Sequence, residues 1–347
     1  MMNNEGISVV IACHNSSKRL PQTLEHVKQQ NVPEHVQWEV IIVDNASTDN
    51  TAQIAQSIWG CLQGVSFRII REPRIGSSYA RFTGTQSALY EFVSYIDDDN
   101  WVADDWVQTI YEKMTQDPQI GALGGRSEAV FEIDPPFWFE RYKATYAIGK
   151  QAEREGEMPI GTLLWGTGAI RKSAWQAIID QGFEHSMVGR KGKQLTSGED
   201  REIVFMLKAS GWKLYYTPSL LFYHFIPKER LTWAYVCRSS MGYGPTEIYL
   251  DHYWKSLRLT PGELAQEPSW YQEIWPDLSY ILVHPLDLIY ALFYKAEGKR
   301  SIVKMYRHIG RLRERLRLMH RLDEKKDRIF QQVTKYQKNS TDYKNLS

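Results

Sequence analysis

The stretch ISVVIA at residues 7–12 begins the pattern from which the fold is predicted. It is a short run rich in β-branched residues, and a polar turn at residues 14–18 follows it at once. Residues 20–30 then carry apolar side chains at helical spacing. A short apolar run bounded by a turn is typical of a buried strand, and the 3.6-residue spacing is typical of an amphipathic helix. The segment therefore predicts a strand, a turn and a helix in succession.

The same alternation continues along the chain to residue 96. Further strands are predicted at residues 38–43, 65–71 and 92–96, with helices that end near residue 59 and cover about residues 76–90. Strands that alternate with helices of this length favour a parallel sheet with right-handed crossovers.

Polar residues follow each predicted strand end, at residues 14–16, 44–49, 74–76 and 97–99. The carboxyl ends of parallel strands meet at one edge of a sheet, and ligands of such sheets bind there. We therefore expect these side chains to form one binding site.

The alternation loosens after residue 121, and the chain becomes mainly helical after Pro227. In between, the sequence predicts a strand at residues 163–170, a helix at residues 199–210 and a strand at residues 213–217. Two domains are predicted, residues 1–225 and a C-terminal helical extension over residues 226–347.

The composition limits the classes of protein to which the chain can belong. The chain has 347 residues, of which 43% are hydrophobic and 24% charged, so it has enough apolar material for a core. The formal net charge is +1. A surface built to coat nucleic acid would be strongly basic, so no nucleic-acid partner is expected.

The cysteines and the hydropathy of the sequence indicate the cellular compartment of the protein. Cys13, Cys61 and Cys237 are widely spaced and odd in number, which predicts neither a disulfide framework nor a zinc site. The first residues do not read as a signal peptide, and residues 280–294, the nearest candidate for a span, are interrupted by His284 and Asp287. We expect a cytoplasmic protein, with peripheral attachment to the inner face of a membrane left open.

Three adjacent carboxylates, Asp97, Asp98 and Asp99, follow the strand predicted at residues 92–96. Like charges this close repel one another unless a cation lies among them. Mg²⁺ or Mn²⁺ prefers such oxygen ligands and keeps coordination positions for the oxygens of a diphosphate. The alternative is a solvated acidic turn.

The segment VDNASTD at residues 43–49 also has two interpretations. Asn45, Ser47 and Asp49 are residue types that cap helix N-termini without any ligand. Asp44, in contrast, lies at the strand end, where an acceptor can bind a base or ribose edge.

Five segments taken together carry a resemblance to a known family. They are SVVIACHN (8–15), VDNASTD (43–49), RIG (74–76) with AR (80–81), DDD (97–99) and SGED (197–200). In order and spacing this series resembles family 2 glycosyltransferases. The resemblance implies the GT-A fold, a Rossmann-like α/β mixed sheet flanked by helices. It also implies a UDP- or GDP-sugar donor, a Mn²⁺ or Mg²⁺ cofactor and inverting transfer to an acceptor hydroxyl.

The resemblance also implies roles for individual residues. Nucleoside contacts would come from the ends of the first two strands, namely Ala12, His14, Asn15 and Asp44. Contacts to ribose, base or diphosphate would come from Arg74, Arg81, Asp97 and Asp98. The metal ligands would be Asp99, Asp97 and His224. The pair His14-Asn15 departs from the commoner Pro-x-Tyr-Asn form of the first motif.

Glu199 and Asp200 are the candidate catalytic residues. A single displacement needs a base to take the proton of the attacking hydroxyl, and the resemblance assigns that role to Asp200. Adjacent helical residues point about 100° apart, so only one of the two faces a site well. The alternative is a pair of ordinary helix N-terminal acids.

The acceptor is less defined by the sequence. No Arg-Trp pair occurs, so the Gln-x-x-Arg-Trp motif of polymerising relatives is missing and single-sugar addition is predicted. Trp138, Trp165 and Trp175 are candidate platforms for a sugar ring. The expected acceptor is a glycan or a lipid-linked molecule in polysaccharide or glycolipid synthesis.

Two other function classes are compatible with parts of the sequence. A nicotinamide-dependent Rossmann enzyme needs a glycine fingerprint, and residues 12–17 contain no glycine. A nucleotide-sugar-binding or scaffold protein that has lost catalysis stays as the alternative.

Residues 300–328 form a predicted basic amphipathic helix. They contain eleven Lys or Arg and four Asp or Glu, a net charge of +7. Met305, Ile309, Leu312, Leu316, Met319 and Leu322 recur at helical spacing. The helix either lies on an anionic membrane surface or covers an apolar flank of the domain.

Overall fold

The computed structural model describes residues 4–60, 64–158, 167–187, 198–259, 261–264, 270–318 and 321–344. Within them the strands are β1 (Ile7–Cys13), β2 (Trp38–Asn45), β3 (Ser66–Glu72), β4 (Phe92–Asp97), β5 (Asn100–Val102), β6 (Ile120–Phe131), β7 (Gly156–Glu157), β8 (Gly168–Arg171) and β9 (Lys213–Ile226).

The α-helices, in chain order, are α1 (Leu20–Lys28), α2 (Thr51–Trp59), α3 (Ser77–Ser87), α4 (Trp106–Gln116), α5 (Phe139–Tyr142), α6 (Lys172–Asp180), α7 (Glu199–Ala209), α8 (Trp233–Arg258), α9 (Pro261–Leu264), α10 (Trp270–Val283), α11 (Pro285–Leu292), α12 (Arg300–Leu318) and α13 (Arg321–Lys344). A 3₁₀ helix covers Lys143–Tyr146.

The chain forms two compact units. The sheet unit comprises Met1–Val130, Ala147–Gly182 and Ile203–Ile226, and the helical unit comprises Phe131–Tyr146, Phe183–Glu202 and Pro227–Ser347. Residues 131–146 and 183–202 thus group with the C-terminal helices, unlike in the division at residue 225 expected from the sequence. That 1–225 and 226–347 are separate functional domains stays a prediction.

The sheet unit is built on one mixed sheet with the strand order β3-β2-β1-β4-β8-β6-β9-β5. The strands β1, β2, β3 and β4 pair in parallel, whereas β8 pairs antiparallel with β4 and with β6. The predicted alternation is therefore confirmed for residues 7–97. The strand predicted at residues 163–170 is found as β8, and residues 159–166 lie outside the described part.

Register explains why the polar segments meet. In β1, Ala12 lies opposite Asp97 of β4, and Cys13 lies opposite Asp44 of β2. Almost every residue of β1 is buried, as expected for a central parallel strand that is covered on both faces. The first, second and fourth strands therefore end at the same level of one sheet edge.

The helical unit packs α12 against α8 at very short range. A Cβ atom added to Gly310 would lie 2.1 Å from the carbonyl oxygen of Met241, so only glycine fits at this crossing. Among the described residues, no helix is both long enough and apolar enough to cross a membrane.

The structure describes the basic segment at residues 300–328 as α12, up to Leu318, and α13, from Arg321, while residues 319–320 lie outside the described part. Met305 and Leu322 from the predicted apolar stripe are fully buried, Ile309 and Leu312 are half-buried, and Leu316 is half exposed. The described part of the stripe is thus more buried than exposed, which agrees with the covering interpretation.

Candidate active site

Asp98 is a buried carboxylate held by the loop that follows β1. Nη2 of Arg19 lies 2.7 Å from its Oδ2, and the hydroxyl of Ser16 donates to the same oxygen. The backbone amide of His14 in turn donates to Ser16 Oγ over 3.0 Å. Burial and the neighbouring charge of Asp99 raise the pKa of Asp98, and Arg19 and Ser16 oppose that rise. Asp98 thus anchors this loop from within the protein.

Asp99 lies beside His224. Oδ1 of Asp99 is 3.5 Å from Nε2 of His224, and both side chains are largely buried. Two features of the backbone bring them together: Asn100 pairs with His224 across β5 and β9, and the amide of Phe225 donates to the carbonyl of Asp99 over 2.9 Å. A carboxylate and an imidazole are ligands that suit Mn²⁺, so the donor atoms fit the expected metal.

Asp97 points to a different partner. Its Oδ1 lies 3.0 Å from Nη2 of Arg81, whose guanidinium also lies over the ring of Tyr95 at 5.5 Å from the centroid. Across the described residues, no group of three or more His, Cys, Asp or Glu side chains is placed to hold a metal ion. The three ligands expected from the sequence are thus not gathered in one cluster, and a metal-binding role for Asp97 stays a prediction.

His14 and Asn15 are exposed at the end of β1, beyond the half-buried Ala12. Nδ1 of His14 is 2.7 Å from the carbonyl oxygen of Asn45, and Oδ1 of Asn15 accepts from the backbone amide of Thr48 over 2.8 Å. Asn15 has a φ of 51°, a left-handed backbone that asparagine tolerates better than most residues. These bonds tie the ends of β1 and β2 into one surface.

Asp44 and Asn45 shape the end of β2. Oδ1 of Asp44 accepts from the amide of Ser47 over 3.1 Å, which closes a local turn. Asn45 is buried, and its amide group receives the N–H of Gly76 and donates to the carbonyl of Arg74. Asn45 therefore braces the segment at residues 74–76 instead of capping α2.

Asp49 does act close to the start of α2, as the capping interpretation proposes. Its Oδ1 accepts from the amide of Thr51, and its Oδ2 accepts from the amide of Ser17. Burial alone would raise the pKa of Asp49, but the hydrogen bonds from Thr51 and Ser17 lower it to about 2. Asp49 is therefore ionised and links two loops of the candidate site.

Arg74 forms a bidentate ion pair with Glu72. Its Nε and Nη2 lie 2.9 Å from the two carboxylate oxygens, and this pairing lowers the pKa of Glu72 to about 2. The side chain of Arg74 is more than half exposed. The geometry leaves an exposed guanidinium at the mouth of the β3–α3 connection.

Asp200 lies in the first turn of α7, within the helical unit, and is half-buried. Its Oδ1 accepts from the amide of Arg201 over 2.9 Å. The side chain of Glu199 lies outside the described residues. The preceding Gly198 has a φ of 144°, and a Cβ there would lie 2.8 Å from Thr246 Cγ2, so this entry into the helix requires glycine.

Glu202, which sequence reasoning missed, fixes the start of the same helix. It is fully buried and accepts from the amides of Ser186 and Met187, from the hydroxyl of Tyr253 and from His185. A glutamate one turn after a glycine is a weak sign of a buried hydrogen-bonding residue, and the partners of Glu202 lie up to 51 residues away in the chain. Arg19 and Asn100 were missed for the same reason.

Asn100 connects the acidic loop to β8. Its Nδ2 donates to the hydroxyl of Thr167 over 2.6 Å, whereas its Oδ1 is buried without a hydrogen-bond partner among the described residues. Asn100 and His224 are directly opposed, so their side chains share one face of the sheet.

Two of the three candidate sugar platforms are core residues. Trp138 packs on Trp233 and Trp175 packs on Phe82, and both are almost fully buried. The prediction that they present an indole face to a sugar is therefore wrong. Trp165 lies outside the described residues.

Comparison with known proteins agrees with this geometry. Residues 8–178 match the family model of Glycosyl transferase family 2. This region is a family 2 glycosyltransferase domain. A poly-beta-1,6-N-acetyl-D-glucosamine synthase of Staphylococcus epidermidis is 24% identical over 263 residues, which cover 73% of this chain and 58% of that protein. The chain thus spans somewhat more than half the length of this family relative.

Two solved transferase structures share the fold. The mannosyltransferase PcManGT from Pyrobaculum calidifontis, in complex with GDP-Man and Mn²⁺, superimposes with a TM-score of 0.57 at 16% identity and covers 89% of this chain and 86% of its own. S. aureus TarS 1–349 in complex with UDP-GlcNAc gives 0.51 at 15% identity, covering 88% and 90%. The predicted GT-A fold is confirmed.

Proposed function

We propose that the protein transfers one sugar from a UDP- or GDP-sugar to an acceptor hydroxyl, with inversion at the anomeric carbon and with Mn²⁺ or Mg²⁺ as cofactor. The observation that carries the proposal is the Asp99–His224 pair, 3.5 Å apart at the edge where β1, β2 and β4 end. The family relative synthesises a polysaccharide, and the structural neighbours hold nucleotide sugars.

Asp99 and His224 are the residues that would hold the cation. A divalent cation at this place would supply charge neutralisation to the departing diphosphate. Arg81 lies at the same edge through its pair with Asp97, and Arg74 is more than half exposed beside Glu72. Their guanidinium groups are the proposed contacts to phosphate oxygens.

The nucleoside would lie over the ends of β1 and β2. Asp44 is an acceptor for ribose or base, and the exposed His14 and Asn15 border it. Asp98 pairs with Arg19, which supports a role in positioning the loop after β1. Its contact with ribose or diphosphate stays a prediction. Asp97 keeps its proposed place near the ribose and the diphosphate.

Asp200 is the proposed base, with Glu199 beside it. In a single displacement its carboxylate takes the proton of the acceptor hydroxyl while that oxygen bonds to the anomeric carbon, and the nucleoside diphosphate leaves from the opposite face. The acceptor is a glycan or a lipid-linked molecule, and the reaction belongs to polysaccharide or glycolipid synthesis at the inner face of a membrane.

Two variants test the proposal in separate assays. Asp99→Ala should weaken Mn²⁺-dependent binding of UDP or GDP at least tenfold in titration calorimetry, because it removes a metal ligand. Asp200→Asn should keep that binding and lower donor turnover by 10²–10⁴-fold, the usual contribution of general base catalysis. Asp104→Asn is the matched control, because Asp104 is an exposed acid between β5 and α4 that is not among the candidate site residues.

Each outcome separates the alternatives. Donor turnover that Asp200→Asn leaves unchanged would refute the assignment of the base. Nucleotide-sugar binding without any turnover by the unsubstituted protein would instead support a binding or scaffold protein. Absence of metal-dependent nucleotide binding would refute the proposal as a whole.

A further inference from the structure

The helices α10 and α11 expose an unusual amount of apolar surface. Between residues 282 and 294, five side chains each expose 66–72% of their surface: Leu282, Val283, Leu286, Leu292 and Phe293. Trp275, Ile289, Tyr290 and Tyr294 add further exposed rings and an aliphatic side chain. These nine residues are called the apolar face below. Contiguous apolar surfaces of this kind mark interaction sites on proteins.

The charged side chains of the same segment point inward. Asp277 accepts from His308, Arg311 and Arg315, and Asp287 pairs with Lys299 at 2.7 Å. Glu273 pairs with Lys326, also at 2.7 Å. These three carboxylates are each 11% exposed or less. This segment thus buries its three acids and exposes large apolar side chains, the reverse of a water-facing surface.

A basic margin adjoins the apolar face. Its exposed members are Lys295, Lys299, Arg300, Lys304 and Arg307. Nζ of Lys304 lies 4.7 Å from the centre of the Tyr280 ring, and Nζ of Lys299 lies 5.7 Å from that of Tyr290. Lys299 pairs with Asp287, Arg307 lies 3.3 Å from Glu247, and Glu297 is the exposed acid of residues 295–307. The five basic side chains still outnumber these three acids, so the margin keeps a positive balance.

The length of the helices limits how they meet a bilayer. A membrane-spanning helix needs about 20 apolar residues. Within the described residues α10 and α11 have 14 and 8 residues, fewer than a membrane span needs. Helices with a strongly apolar face instead lie in the interface, with that face about 5–10 Å deep among headgroups and acyl chains. Trp and Tyr, both present here, are enriched at that depth.

The charge of the basic margin indicates which kind of partner covers the apolar face. A two-fold contact between copies places the same patch on both sides, so a second copy brings another basic margin and no acidic surface complementary to it. An anionic lipid surface attracts basic residues near it. We propose that the helical unit docks on an anionic membrane surface through the apolar face of α10 and α11, with residues 295–307 against the headgroups.

The apolar part of this surface differs from the stripe considered for the amphipathic segment at residues 300–328, although Arg300, Lys304 and Arg307 belong to both surfaces. In that stripe Met305 and Leu322 are fully buried, whereas the nine residues of the apolar face are all exposed. The proposal also does not depend on sugar transfer, because none of its residues belongs to the candidate active site.

Vesicle co-sedimentation of the full chain tests the proposal. Vesicles of pure phosphatidylcholine are compared with vesicles that contain 30% phosphatidylglycerol. The unsubstituted protein should bind the anionic vesicles at least tenfold more tightly, and the double variant Leu286→Glu/Phe293→Glu should lose at least tenfold of that affinity. Leu316→Glu is the matched control, because Leu316 is 49% exposed on α12 outside the apolar face, and it should bind as the unsubstituted protein does.

Three results would overturn the proposal. The first is equal binding by the double variant and the unsubstituted protein, with unchanged circular dichroism. The second is equal affinity for neutral and anionic vesicles, which would remove the role of the basic margin. The third is no vesicle binding together with a dimer in sedimentation velocity that the double variant dissociates, which would assign the face to a second copy.

Discussion

Replacing Arg19 with methionine should destabilise the protein by leaving Asp98 as a buried carboxylate without its guanidinium partner. Nη2 of Arg19 lies 2.7 Å from Oδ2 of Asp98, while Nε at 3.4 Å from Oδ1 contributes little. A hydrogen bond to a charged group contributes about 1.5–3 kcal/mol, and breaking a fully buried pair costs about 3–5 kcal/mol. Because the Arg19 side chain is 34% exposed and partly screened, we expect a loss of about 2 kcal/mol.

Urea unfolding followed by circular dichroism measures this loss, and a thermodynamic cycle isolates its cause. Asp98→Asn alone should cost under about 1 kcal/mol, because it removes the buried charge and leaves a solvated arginine. The double variant should be about as stable as Asp98→Asn, since Arg19→Met then strands no charge. In thermal melts, 2 kcal/mol corresponds to a fall of about 4–8 °C. Fully additive single effects would refute the reasoning.

Three further outcomes are expected. Burial lowers the pKa of His252 to about 3, so as pH falls below about 6.5 only the unfolded state takes up the proton. The free energy of unfolding then drops by about 1.4 kcal/mol per pH unit. Between pH 7 and pH 5 in urea titrations, the free energy of unfolding of His252→Phe should therefore fall by about 2 kcal/mol less than that of the unsubstituted protein. Gly198→Ala should cost about 3 kcal/mol in the same assay, from backbone strain and from the overlap with Thr246. Asn45→Ala should free the amide of Gly76 and raise the KM for the donor more than it lowers kcat, as steady-state kinetics would show.

Local sequence patterns were enough to find the first half of the sheet. The β-branched runs at residues 7–12 and 38–43 are central strands in which nearly every side chain is buried, so their composition alone specified them. The parallel arrangement then placed Asp44 and Asp97 at one edge. Because such acids follow strand ends directly in the chain, their meeting needed no knowledge of side-chain packing.

Partners distant in the chain were beyond sequence reasoning. Asp98 and Arg19 are 79 residues apart, and a partly exposed arginine just before an amphipathic helix carries no sign of a buried partner. The segment at residues 280–294 was equally ambiguous, since His284 and Asp287 interrupt its apolar run. Only the fold shows that Asp287 turns inward to Lys299, which leaves the apolar side chains outside.

The three carboxylates that are adjacent in the sequence have three different partners in the fold. Asp97 faces the guanidinium of Arg81, Asp98 faces that of Arg19, and Asp99 faces the imidazole of His224. The first two contacts bring a permanent positive charge, whereas an imidazole is neutral when it binds a metal. A divalent cation therefore stabilises the carboxylate of Asp99 more than those of Asp97 and Asp98.

It follows that the two neighbours should respond differently to an amide substitution. Asp98→Asn should keep metal-dependent nucleotide binding to within about threefold, because Asp98 acts on the loop after β1. Asp99→Asn should lose the metal dependence itself, so that binding with and without Mn²⁺ becomes equal in titration calorimetry. If instead Asp98→Asn abolished the Mn²⁺ effect and Asp99→Asn preserved it, the distribution of roles read from Arg19 and His224 would have to be reversed.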